Sequence, residues 1–136
     1  MKSLTLALAG SLLAATAATA DHLALQINGG SYSRNTITFP SVMMDKPGYL
    51  VVHETRNGAP VVPASAGHVW LPAGTSTNVK VKVQGRVTKD ADYVAMLHYE
   101  TNGNRSYEFR DGMTDVDGPA TGADGAPYVK PFRTAM

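Results

Sequence analysis

Apolar and polar residues alternate along this chain in short runs, and no stretch after residue 20 sustains the i, i+3, i+4, i+7 spacing of an amphipathic helix. Alternation with a period of two places successive side chains on opposite faces of an extended strand, so the pattern predicts an all-β domain. Leu23, Leu25 and Ile27 alternate until Asn28-Gly29-Gly30 breaks the run, and Ile37 and Phe39 mark a second strand that ends at Pro40. Lys46-Pro47-Gly48 turns the chain into Tyr49 to His53, which is apolar on both faces as a central strand would be, and Asn57-Gly58 closes it. After Val69-Trp70-Leu71 and a Pro72-Ala73-Gly74 turn, Val79, Val81 and Val83 share one face while Asn78, Lys80, Lys82 and Gln84 share the other. Tyr93 to Glu100 is again apolar on both faces. Asn102-Gly103 reads as a hairpin with Ser106 to Phe109 returning, and residues 111–127, rich in Gly, Asp and Pro, read as a long loop. Tyr128, Val129 and Phe132 supply a final edge strand, where Pro131 is tolerated. About seven to eight short strands at intervals of roughly ten residues predict an immunoglobulin-like or cupredoxin-like β-sandwich, with a small closed barrel as the alternative.

The first 20 residues follow a different rule. Lys2 is a positive start, Leu4 to Leu13 are largely apolar, and Ala18-Thr19-Ala20 is a small-x-small site, so residues 1–20 read as a signal peptide cleaved before Asp21. The hydrophobic run is shorter than the about 20 residues a bilayer span needs, and no membrane span is expected after cleavage. Residues 21–136 then form a single domain, periplasmic or secreted. With no cysteine in the chain, neither disulfides nor an acylated N-terminal Cys contributes.

Removing Lys2 with the leader leaves 11 basic residues against 11 acidic ones, a balance that argues against a nucleic-acid partner. The charge is unevenly spread: Arg34 to Lys89 holds seven bases and two acids, whereas Glu100 to Asp124 holds six acids and two bases.

The order of motifs is also telling. Gly48-Tyr49-Leu50-Val51-Val52-His53, then Leu71-Pro72-Ala73-Gly74-Thr75, Asn78 to Val83, Tyr93-Val94-Ala95-Met96-Leu97-His98 with Thr101-Asn102, and Asp117-Gly118-Pro119 follow one another. Together, over roughly residues 23 to 133, they resemble an uncharacterised exported domain family of secreted and cell-surface proteins in halophilic archaea, present also in bacteria. The resemblance implies an immunoglobulin-like sandwich outside the cytoplasm and supplies no catalytic residue.

Candidate chemistry is sparse. No nucleophile motif, phosphate-binding glycine loop or His-Glu-x-x-His spacing is present, so an enzyme is not expected. Without Cys a blue-copper centre of the His₂Cys type is excluded. The strongest constellation is His53, Met96 and His98. Met96 and His98 share a strand face, and His53 joins them if its strand is adjacent and in register. Imidazole with thioether suits copper, with Met43 and Met44 as further soft donors. Against this stands the simpler reading of hydrogen-bonded strand histidines and gap-filling methionines, on which no cofactor is expected. His22 stands next to the expected mature terminus, where it would chelate Cu(II) with the amino group, and His68 reads as an exposed loop histidine. Asp111, Asp115, Asp117 and Asp124 offer a loose calcium site, although Ala126 at the twelfth position excludes an EF-hand. Tyr49, Tyr93, Tyr99, Tyr107, Tyr128 and Trp70 form either a contact surface or core, with Tyr93 and Tyr99 expected on the core face. The leading expectation is an exported non-catalytic module binding an unknown protein or small ligand; the alternative is a periplasmic copper-handling protein using His53, Met96 and His98.

Overall fold

The alternating runs become strands in a computed structural model that describes residues 22–134. The expected leader and its cleavage site lie outside the described residues. In chain order the strands are β1 (Ala24–Gln26), β2 (Ser31–Ser33), β3 (Thr36–Met44), β4 (Gly48–Arg56), β5 (Ala59–Pro60), β6 (Gly67–Leu71), β7 (Gly74–Lys82), β8 (Asp92–Tyr99) and β9 (Val129–Arg133). The described residues contain no helix, and therefore none long and apolar enough to cross a membrane.

Two antiparallel sheets pack face to face as a β-sandwich. In the first, β3 pairs with β7 on one side and with β1 and β2, end to end, on the other. In the second, β4 lies between β6 and β8, β9 extends the sheet beyond β8, and β5 returns on the end of β4. Leu25, Ile37, Phe39, Val79 and Val81 from the first sheet meet Leu50, Val52, Leu71, Ala95 and Leu97 from the second in one core. Lys80 and Lys82 point to water from the other face of β7, as the alternation requires. Tyr93 and Tyr99 pack half-buried against the core, on the face expected for them.

β4 and β8 are apolar on both faces for a reason that alternation alone does not reveal. The face turned away from the sandwich core carries Tyr49, Val51, His53, Val94, Met96 and His98, and all six are buried. On this second face His53 meets the connection between β5 and β6, while over Tyr49 and His98 the cover is the segment 100–118, hereafter the strap. Here the expected hairpin fails: residues 106–109 form no strand and make no ladder with β8. They cross over the sheet instead, because Asp117 ties the two ends of the strap together. The Asp117 carboxylate accepts the backbone N–H of Thr101 at 3.0 Å and of Glu108 at 3.0 Å, and its own N–H donates to Thr101 Oγ1 at 2.9 Å.

Gly48 marks how closely β4 approaches β8 at this point. A Cβ there would stand 2.0 Å from the backbone oxygen of His98, so only glycine fits.

Candidate functional site

The register of two neighbouring strands assembles the site. β4 and β8 run antiparallel with Tyr49 opposite His98, Val51 opposite Met96 and His53 opposite Val94. Residues paired across an antiparallel ladder project from the same face, so His53, Met96 and His98 share the face turned away from the sandwich core. The two imidazoles stand four positions apart along the ladder and lean toward each other, bringing the ring centres to 6.0 Å at an interplanar angle of 32°. Met96 occupies the register position between them. The adjacency and phase that the sequence reading demanded of His53 are both met.

Each imidazole is anchored through Nδ1. His53 Nδ1 donates to Ala64 O at 2.7 Å and Val61 O at 3.0 Å, in the connection between β5 and β6. His98 Nδ1 donates to Asp117 O at 2.7 Å, from the end of the strap. Backbone carbonyls only accept, so these bonds assign the proton of each neutral ring to Nδ1 and leave Nε2 as a lone-pair acceptor. Both residues are fully buried, and neither Nε2 has a hydrogen-bond partner among the described residues. Burial pushes the His98 imidazole down to about 4; its bond to Asp117 opposes the shift and the neighbouring His53 adds to it.

Aromatic rings of the strap pack against His98. Tyr107 sets its ring edge-on to His98 at 5.3 Å and also packs against Tyr49 at 5.3 Å, while Phe109 covers His98 at 5.1 Å. The Tyr107 hydroxyl is itself buried without a partner among the described residues, and burial pushes it well above the ordinary phenol range. At the outer side Arg105 lies over the Trp70 ring at 4.5 Å, and Tyr49 donates its hydroxyl hydrogen to Glu100.

Several residues singled out in the sequence fall elsewhere. Met44 is in the core between the sheets and Met43 is on β3 of the opposite sheet, so neither reaches His53 or His98. His68 belongs to β6 rather than a loop; its side chain is exposed at one side and packs against Tyr107 at 4.8 Å on the other. His22 is exposed, 3.2 Å from Thr121 O through Nε2. The calcium reading is corrected at its centre, because Asp117 is buried and its carboxylate is taken up by the donors of Thr101 and Glu108. Asp111 and Asp115 are exposed, and Asp124 accepts the N–H of Ala126 at 3.0 Å. Among the described residues no three His, Asp or Glu side chains converge as a metal site, so the constellation rests on two imidazoles and a thioether. A cavity of about 170 Å³ lined by Ile27, Tyr32, Phe39 and Phe132 lies at a different edge of the sandwich. Sequence reasoning missed Tyr107 and Phe109 as the roof, whose sole signal was their alternation in a segment taken for a strand.

Comparison with known proteins agrees with the architecture's extent. The model of a family described as Domain of unknown function (DUF7282) matches residues 24–134. A protein named Cell surface glycoprotein 1, from Haloarcula hispanica, is 27% identical over 90 residues, covering 66% of this chain and 10% of that protein. The chain thus spans about a tenth of the length of this curated relative. No solved structure matches.

Proposed function

This chain belongs to the DUF7282 family, and from that premise we propose that it is an exported, non-catalytic module whose work is binding at or beyond the cell surface. The likeness to a short stretch of a cell surface glycoprotein supports the location. The observation that carries the binding reading is the buried imidazole pair on the second sheet, whose ring centres stand 6.0 Å apart and whose Nε2 atoms have no hydrogen-bond partner among the described residues. Unpaired buried polar atoms each cost about 1–3 kcal/mol, and a guest that satisfies them offsets that cost. Turnover, by contrast, requires a substrate to reach a proton-transferring group. Here both imidazoles are sealed from solvent and their Nδ1 atoms are fixed to backbone carbonyls.

Cell fractionation with intact-mass measurement tests the location. The expected product starts at Asp21 and is found outside the cytoplasm, because Ala18-Thr19-Ala20 provides the cleavage site. A cytoplasmic product retaining residues 1–20 would contradict the proposal.

A further inference from the structure

We propose that His53 and His98, with Met96 between them, form a buried site for one soft monovalent cation of the Cu(I) class. The inference deepens the binding reading above and rests on it. Two features of geometry carry it. The first is the pair of Nε2 lone pairs, both sealed from water and both without a donor among the described residues. Metal–nitrogen bonds of about 2 Å on either side, added to the half-widths of two imidazoles, span a centre-to-centre separation of the size found here, 6.0 Å. The second is the anchoring of both Nδ1 atoms by backbone carbonyls. Metal-bound imidazoles are characteristically fixed in this way, since the outer hydrogen bond sets both the tautomer and the ring orientation.

The surroundings select the charge and softness of the ion. The donors available are neutral: two imidazoles and one thioether. The Asp117 carboxylate is taken up by Thr101 and Glu108, and Asp117 meets His98 through its backbone oxygen. A dication enclosed here would keep an uncompensated charge in a water-poor pocket, which is costly, whereas a single positive charge shared among soft donors costs far less. Nitrogen and thioether donors are those that Cu(I) favours. Tyr107 and Phe109 close the His98 side of the site against bulk water. The competing occupant is a water molecule bridging the two Nε2 atoms and the Tyr107 hydroxyl.

The test is an anaerobic titration of the mature protein with Cu(I) against a chromophoric Cu(I) chelator, with Ag(I) as a redox-inert probe and Zn(II) as the dication. All samples carry His22→Ala, so that the exposed histidine near the terminus does not contribute. His53→Asn and His98→Asn are the informative variants, because an asparagine amide nitrogen can take over the Nδ1 bond to the carbonyl while Nε2 is removed. The expected result is one-to-one Cu(I) and Ag(I) binding, weakened more than about a hundredfold by either Asn variant and less by Met96→Leu, with Zn(II) at least about a hundredfold weaker. Should an Asn variant fail to fold, the stoichiometry of the His22→Ala protein with His53 and His98 intact and the Ag(I)-induced shift of both Nε2 resonances decide the matter. Absence of Cu(I) and Ag(I) binding, binding indifferent to both histidines, or a preference for Zn(II) would overturn the site. Those results leave the export reading standing, and a cytoplasmic location would leave the site standing, so the two failures are separable.

Discussion

Acid should destabilise this domain through histidines whose protonation burial opposes, His68 in part and above all His98. Its imidazole is fully buried under Tyr107 and Phe109, and burial lowers its pKa from the ordinary 6.5 to about 4. The unfolded chain therefore binds a proton at this position from about pH 6.5 downward, while the folded chain refuses it until about pH 4. The neutral ring's contribution is fully present above the unfolded value, is lost progressively as pH falls from about 6.5 to about 4, and is constant below that. At 1.36 kcal/mol for each pH unit between the two values, the loss is about 3 kcal/mol. Against a typical total of about 5–15 kcal/mol, that is a large fraction of the stability of a domain this size. Urea unfolding midpoints of metal-free protein at pH 7.5, 6, 5 and 4.5 measure it, with His98→Asn as the non-titrating control. Asn preserves a donor for Asp117 O, so the variant should begin less stable through its smaller volume but show a shallower slope across this window. The window also lies mostly above the range in which Glu100 and Glu108 titrate, both held below the usual carboxylate range, Glu100 by its hydrogen bonds against an opposing burial effect and Glu108 by its bonds from Asn102 and Asn104. Equal slopes for wild type and His98→Asn between pH 6.5 and 4.5 would refute the picture of a buried neutral ring.

Three further substitutions probe the frame around the site. Val81→Asp, which buries an unpaired carboxylate in the core, should cost several kcal/mol or unfold the domain, whereas Lys80→Asp on the wet face should change stability by about 0.5 kcal/mol; denaturant melts compare them. Gly48→Ala places a methyl group 2.0 Å from His98 O, so β4 and β8 must separate at the site, at a cost of about 1–3 kcal/mol in the same assay. Asp117→Ala leaves the N–H groups of Thr101 and Glu108 without their acceptor and should cost about 2–4 kcal/mol, with faster hydrogen exchange confined to residues 101–118.

Much of the frame was legible because it depends on local periodicity. Val79, Val81 and Val83 face inward with Lys80 and Lys82 outward, and the terminal strand around Pro131 lies at a sheet edge beyond β8, as their sequence context implies. The double-sided apolarity of β4 and β8 correctly marked them as central, yet its cause was hidden. One face meets the opposite sheet, while the other meets a strap held by side chain-to-backbone bonds between residues sixteen positions apart. Bonds of that kind leave no periodic trace. For the same reason Ser106 to Phe109, which alternate as a strand would, were misjudged, and Asp117, in a loop rich in acids, resembled a calcium ligand when it is a fastener. His53, Met96 and His98 were identifiable by residue type and by spacing within a strand. Their convergence depended on a register that the sequence leaves undetermined, since a slip of one residue turns His53 to the other face.

The central claim is that two imidazoles, each holding its proton on Nδ1, turn bare Nε2 atoms toward one guest. Two-bond nitrogen–proton NMR correlation of the histidine rings at neutral pH, recorded on the metal-free protein and again with one equivalent of Ag(I), tests it most directly. The account predicts protonated Nδ1 and unprotonated Nε2 in both His53 and His98, with both Nε2 signals displaced together by the single ion and the Nδ1 protons retained. A protonated Nε2 on either ring, or Nε2 signals that ignore the ion, would contradict it.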